Sequence, residues 1–301
     1  MQDTKASTKG EIQQMDIIKR KAYAKINLCL DVLGKREDGY HEVSMIMQTI
    51  GLCDDVTLRK QDEGISLSVN GADLPTDETN LAFKAAKLMI DTYDIKGGVK
   101  ISLKKSIPVA AGLAGGSSDA AAVMMGMNEL YDLKKDKDEL CSLGVKIGAD
   151  VPYCIKGGTA LAEGIGEKLT PLPEAPGATI LVAKPDIAVS TKEVYTALNV
   201  KELKAHPDVD GMTKAIVRHD LDGVIERMGN VLENVTIRKF PVIDDIKQLM
   251  KEHGAENALM SGSGPTVFGI FYDQRTAAEC FGIIKNSGLA KDVALTTFVT
   301  P

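Results

Sequence analysis

The stretch IPVAAGLAGGSSDAAAVMMGMNEL, residues 107–130, combines residue types suited to holding an anion. Gly112, Gly115 and Gly116 permit φ > 0 and close approach of backbone to a ligand. Ser117, Ser118 and Asp119 stand where an apolar helix begins, with Val123, Met127, Leu130 and Tyr131 as its expected buried stripe. A helix start offers free N–H groups and the positive end of the helix dipole, which together attract phosphate. A tight strand-to-helix connection with Ser117 as N-cap accounts for the same residues without any ligand. The chain contains no G-x-x-x-x-G-K-[ST], which excludes a P-loop NTPase, and no G-x-G-x-x-G after a strand, which leaves a dinucleotide fold unsupported. A second glycine cluster, SGSGP at 261–265, joins two apolar segments and on its own reads as a glycine turn.

Several elements must hold these loops. Residues 17–33 partly alternate, placing Lys25, Asn27 and, by continuation, Cys29 on one face of a strand and Ile26, Leu28 and Leu30 on the other. A loop around GKREDGYHEV follows, then strand-like segments VSMIMQTIGL, DDVTLRK and GISLSVNG. TNLAFKAAKLMIDTY predicts a helix capped by Thr79 or Asn80, with Leu81, Ala85, Leu88 and Met89 on one face. GVKISLKKSIP is a strand that feeds the first glycine loop, and TALAEGIGEKLTPL reads as strand, tight turn, strand. The proline-rich PLPEAPG, 171–177, marks a domain boundary. Beyond it come a strand at 179–184, a helix at 192–198, helices up to 237 and over 242–252, a strand–turn–strand at 257–272, and a last helix and strand. Strands and helices mix without regular β-α-β-α alternation, which predicts an α+β protein. The expected division is a polar extension at 1–15, a first domain at 16–170 and a second at 171–301.

Composition removes several function classes. The 301 residues carry a net charge of −6, six Phe, seven Tyr and no Trp, which disfavours nucleic-acid binding by charge or by stacking. No run reaches the ~20 apolar residues of a membrane span. Residues 1–15 lack an apolar signal core, and the five cysteines form no C-x-x-C pair, so a reducing cytoplasm is expected. Neither nucleic acid nor membrane is therefore an expected partner, and a monomer or homodimer is the expectation.

The loop at 108–118 resembles the P-x-x-x-G-L-x-x-S-S loop of the GHMP kinases, matched here by Pro108, Gly112, Leu113, Ser117 and Ser118. Three further blocks resemble those of the GHMP kinases that act on 4-diphosphocytidyl-2-C-methyl-D-erythritol: AKINL with DGYH near the start, GADVP at 148–152, and LMSGSGPTVFGIF at 259–271. The blocks occur in the expected order, and the similarity runs from about residue 16 to the C-terminus.

The resemblance implies a small-molecule substrate as partner and a two-domain GHMP kinase fold, with a first domain like ribosomal protein S5 domain 2, a second α/β sandwich domain, and the site between them. It implies ATP on Pro108, Val109, Ala110, Ala111, Gly112, Leu113, Ala114, Gly115, Gly116, Ser117 and Ser118, with Mg²⁺ arriving on the nucleotide and no dedicated metal-ligand cluster. Lys25 and Asp150 become the catalytic pair. Asp150 would accept the proton of the acceptor hydroxyl and Lys25 would stabilise the developing alkoxide. Without the resemblance, a solvated strand lysine and a capping aspartate describe the same two residues. Tyr40 and His41 are implied to meet the cytosine, with Tyr195 as a second aromatic wall. Asn27, on the strand face of Lys25, would meet the methylerythritol hydroxyls, and Gly262, Ser263 and Gly264 would support the substrate phosphates.

Overall fold

A computed structural model describes residues 16–301, so the extension at 1–15 lies outside the described residues. The first half contains β1 (Ile17–Lys35), β2 (His41–Gln61), β3 (Ile65–Asn70), α1 (Leu81–Tyr93), β4 (Gly98–Lys104), α2 (Gly115–Leu130), α3 (Lys137–Gly144), α4 (Val151–Lys156), β5 (Thr159–Gly164) and β6 (Lys168–Leu172). The second half contains β7 (Thr179–Lys184), α5 (Thr191–Ala197), α6 (Val209–Val217), α7 (Leu221–Glu226), β8 (Gly229–Asn230), α8 (Glu233–Lys239), α9 (Val242–Glu252), β9 (Asn257–Met260), β10 (Val267–Phe271), α10 (Gln274–Asn286) and β11 (Asp292–Thr297).

The two segments expected as separate strands, VSMIMQTIGL and DDVTLRK, are one long strand, β2. Its first part pairs with β5 and its last part with β4, while β1 runs antiparallel along nearly its whole length. A seven-stranded mixed sheet results, with β3 parallel to β4 and the two-residue β8 parallel to β1. The second sheet has the order β11-β7-β10-β9 and is antiparallel throughout. The fold is α+β.

Helix α2 is buried without a break from Ser118 to Met124, which is why its apolar residues recur on every side. It packs with α1, α3 and α4 on one face of the large sheet. Asn80 is the cap of α1, its side chain accepting from the Ala82 N–H at 2.9 Å. The opposite face of β1 and β2 (Ala24, Ile26, Leu28, Ile46, Ile50) packs against β7, β10, α6 and α7, so the two sheets share one apolar interior. The expected boundary at 170/171 falls inside β6, where Pro171 and Leu172 still pair with Ala160 and Thr159. Passage to the second sheet runs through 173–178. The chain also returns to the first sheet at β8 and at its C-terminus, where the Val299 N–H donates to the Thr49 carbonyl.

Strand β1 shifts register against β2 between Tyr23 and Lys25 and again between Asn27 and Cys29. Each bulge re-aims the side chains that follow it. Lys25 and Asn27 keep a common face, but the second bulge turns Cys29 into the interior beside Ile26 and Leu28 and brings Leu30 onto the face of Lys25. The simple alternation therefore fails at Cys29 and Leu30.

Candidate active site

One cleft of about 1150 Å³ runs between the halves. Its wall carries Lys25 and Asn27 from β1, Tyr40 and His41 at the start of β2, the backbone of 108–112, Ala114 to Ser117, Asp150, Tyr195, Gly262 and Ser263. These positions lie up to 238 residues apart in sequence (Lys25 to Ser263), and the fold brings them to one surface.

The first glycine loop is built by left-handed backbone at alternate positions: Ala110 (φ 51°), Gly112 (φ 73°) and Ala114 (φ 57°). Two of these are alanines, each costing about 1–2 kcal/mol in that region, and such local strain concentrates at functional loops. At Gly112 the geometry admits no side chain, since a Cβ there would lie 2.3 Å from the Ser261 carbonyl oxygen. The two glycine loops thus touch through backbone, and Ser261 Oγ donates to the Gly112 carbonyl at 3.0 Å. The loop is joined to β1 as well, because the bulge frees the Lys25 N–H to donate to the Leu113 carbonyl at 3.2 Å.

Helix α2 begins at Gly115, with Ala114 as its cap residue and no side-chain cap bond. Ser117 is therefore inside the first turn rather than a cap, and the first N–H groups of a sixteen-residue helix are left for a ligand. Three residues expected to contact ligand stand behind the wall instead. Leu113 is fully buried in the shared interior. Ser118 is buried and spends its hydroxyl on the Tyr23 carbonyl at 2.7 Å, which ties α2 to β1. Gly264, at φ +89°, is enclosed by Met260 and Thr236 and precedes a cis peptide to Pro265.

Lys25 is buried, and its Nζ donates to Asn27 Oδ1 at 2.8 Å, while the Asn27 amide turns its N–H toward Met45 Sδ. A Cβ on Gly262 would lie 3.6 Å from Lys25 Nζ, so the second glycine loop sits directly over the ammonium. That loop is held from behind: Asn230 Nδ2 donates to the Met260 and Gly262 carbonyls at 2.8 and 2.7 Å, and Thr236 Oγ1 donates to the Ser263 carbonyl at 3.1 Å. The two-residue β8 exists to place Asn230, and no periodicity announced it.

Asp150 precedes α4 at its cap position, yet its side chain makes no cap bond. No hydrogen bond or ion pair engages its carboxylate among the described residues, so it is not a capping aspartate. Its charge is felt nearby: burial first, and then the Asp150 carboxylate, push the Cys154 thiol and the Tyr195 hydroxyl well above their ordinary values. Tyr195 packs on His41 with ring centroids 5.3 Å apart and planes tilted by 41°. Burial, followed by the Lys35 charge, holds the His41 imidazole below its ordinary value, which keeps it neutral near pH 7. Tyr40 is 60% exposed at the rim.

Sequence reasoning missed a charged triad under the first loop. Lys105 Nζ sits 2.5 Å from both Asp54 Oδ2 and Asp119 Oδ2, all three buried. Asp54 Oδ1 also accepts from the Ser106 and Ile107 N–H groups, at 2.5 and 2.8 Å, which fixes where the loop departs from β4. Burial, outweighing the Lys105 ammonium, pushes the Asp119 carboxyl up to about 7. Its Oδ1 is buried without a hydrogen-bond partner, and Asp119 contributes to the cleft wall. The available signal was Asp54, a carboxylate inside a strand pattern, together with Lys105 at the end of the next strand.

Comparison with known proteins shows the family. Residues 80–158 match the family model for the GHMP kinases N terminal domain, and residues 212–290 that for GHMP kinases C terminal. The 4-diphosphocytidyl-2-C-methyl-D-erythritol kinase of Lachnospira eligens is 54% identical over 288 residues, covering 95% of this chain and 100% of the relative. A crystal structure of 4-(cytidine 5'-diphospho)-2C-methyl-D-erythritol kinase superposes with a TM-score of 0.80 at 33% identity, over 93% of this chain and 99% of that one. Homoserine kinase from Cytophaga hutchinsonii, at 22% identity and a TM-score of 0.74 over 100% of this chain and 97% of that one, shares the fold. The chain belongs to the GHMP kinases, within the family of 4-diphosphocytidyl-2-C-methyl-D-erythritol kinases.

Proposed function

We propose that ATP lies along the 108–117 loop with its phosphates on the start of α2, that the cytosine of the acceptor enters between Tyr40, His41 and Tyr195, and that the two meet at Lys25 and Asp150. The enzyme is an ATP-dependent small-molecule kinase. It phosphorylates the 2-hydroxyl of 4-diphosphocytidyl-2-C-methyl-D-erythritol, giving the 2-phosphate and ADP, in the non-mevalonate route to isoprenoid precursors.

Phosphoryl transfer needs positioning and charge stabilisation more than covalent help from the protein. The N–H groups at the start of α2 bind and orient the phosphates. Asp150, free of competing hydrogen bonds among the described residues, takes the proton of the 2-hydroxyl as its oxygen attacks the terminal phosphorus. Lys25, held by Asn27, offers its ammonium to the attacking oxygen and the transferring group. His41, neutral, presents a donor and an acceptor to the base.

A magnesium ion, when bound with the nucleotide, neutralises phosphate charge. Mg²⁺ keeps most of its ligands from phosphate and water, so one protein carboxylate suffices. Asp119 Oδ1, buried and unpartnered on the cleft wall, fits that need, whereas the Ser118 hydroxyl is already committed. We place the enzyme in the reducing cytoplasm, in keeping with five free cysteines.

The observation that carries this reading is a single wall bearing the phosphate loop, Lys25, Asp150 and the His41–Tyr195 pair. ADP release measured with the cytidyl acceptor, mevalonate and homoserine in parallel tests it. Turnover with the cytidyl compound alone is expected, and preference for either other alcohol overturns the assignment.

A further inference from the structure

Three lysines line the cleft: Lys25, Lys105 and Lys192. Two are committed. Lys25 is buried and bonded to Asn27, and Lys105 is locked between Asp54 and Asp119. Lys192 is exposed to the cleft, and no hydrogen bond or ion pair reaches its ammonium among the described residues. The adjacent carboxylate does not neutralise it, because Glu193 pairs with Lys239 at 2.8 Å.

The position of Lys192 is as informative as its charge. It stands on α5 between two residues that mark the two ends of the acceptor's path. Thr191 Oγ1 meets Ser263 Oγ at 2.8 Å, on the loop that covers Lys25. Tyr195, three residues after Lys192 and hence on a neighbouring helix row, stacks on His41. An acceptor with its base at Tyr195 and its reacting hydroxyl at Lys25 must run its middle past Lys192. In a nucleoside diphosphate ester that middle is a diphosphate bearing two negative charges. The cleft also carries Asp150, whose unpaired carboxylate disfavours a dianion unless a cation faces it.

We infer that Lys192 reads the diphosphate bridge of the acceptor and is a specificity residue for cytidine-diphosphate-linked alcohols. This rests on the function proposed above. A hydrogen bond to a charged group contributes about 1.5–3 kcal/mol, equivalent to about 10- to 100-fold in affinity. The side chain is exposed and packs into no core, so its replacement leaves the fold intact.

The test compares wild type, Lys192→Met and Lys192→Arg in steady-state kinetics and in calorimetric binding of CDP and of cytidine. Lys192→Met is expected to raise KM for the cytidyl acceptor at least about 10-fold, with kcat within about threefold and KM for ATP unchanged; Lys192→Arg is expected to restore most of the loss. Wild type should bind CDP more tightly than cytidine, and Lys192→Met should erase that preference. An unchanged CDP-to-cytidine ratio in Lys192→Met overturns the inference while leaving the kinase assignment standing. A rise in KM for ATP in place of the acceptor, or a fall in kcat alone, also overturns it. If wild type turns over no cytidyl acceptor, the functional assignment fails, and the two binding measurements still decide whether Lys192 reads a diphosphate.

Discussion

Gly112 is where the two glycine loops meet, and Gly112→Ala would force them apart. The new Cβ would fall 2.3 Å from the Ser261 carbonyl oxygen and 3.0 Å from that of Gly264. Ordinary contact starts near 3.4 Å, so the loops must separate by about 1 Å. Alanine at φ 73° also costs about 1–2 kcal/mol, and weakening the Ser261 Oγ bond to the Gly112 carbonyl costs about 1 kcal/mol more. The combined loss of about 2–3 kcal/mol corresponds to a fall in Tm of roughly 3–5 °C for a chain of this size. The kinetic effect should be larger in proportion, since the 108–117 loop faces ATP and the 261–264 loop covers Lys25. A misplacement of about 1 Å between reacting groups costs about 100-fold in rate. Thermal melting and ADP release on the same preparation measure both effects. A variant that melts within about 1 °C of wild type and keeps kcat/KM within about threefold would refute the claim that loop contact sets the site geometry.

Two further outcomes follow from charge and stacking. Asp119 has a folded-state value near 7, above its ordinary 3.8, so the folded protein holds a proton there that the unfolded chain releases. Stability from this group is therefore present at low pH and lost as pH rises through about 7, with a slope of at most about 1.4 kcal/mol per unit. Denaturant melts of wild type and Asp119→Asn between about pH 4 and about pH 7 should show a steeper decline in wild type that levels off above about pH 7, and parallel profiles would contradict the buried-carboxyl account. Tyr195→Leu should raise acceptor KM about 5- to 10-fold, the worth of one aromatic pair, without moving KM for ATP; a change in ATP KM instead would displace the base-binding assignment.

Much of the cleft lining was legible in short blocks of sequence, some conspicuous by themselves and some only through the family resemblance. The glycine–serine run and the SGSGP turn carry a local signature, whereas Lys25 and Asp150 are singled out by the resemblance of the AKINL and GADVP blocks. What stayed hidden depends on tertiary contact or on irregular backbone. The bulge after Asn27 exchanges the faces of Cys29 and Leu30, and strict alternation has no means of registering it. Ser118 looks like a ligand-binding hydroxyl until the fold places the Tyr23 carbonyl beneath it. Asp54, Lys105 and Asp119 read as ordinary charges in separate segments, and only the packing of α2 on β2 and β4 makes them one buried group. Two residues of β8 are too few for any periodicity, yet they position Asn230 under the second glycine loop. The prolines of 171–177 read as punctuation between domains, yet Pro171 and Leu172 still belong to the short strand β6, where a proline is tolerated.

Asp150→Asn tests the central claim most directly, because the carboxylate has no hydrogen-bond partner among the described residues and its replacement by an amide disturbs no contact in the fold. Nucleotide affinity by calorimetry and turnover with the cytidyl acceptor should part company. ADP binding is expected to stay within about threefold of wild type while kcat falls by about 10²- to 10⁴-fold, the range for loss of a general base. Near-normal turnover in this variant would show that the acceptor hydroxyl loses its proton elsewhere, and the catalytic account of the cleft would be wrong.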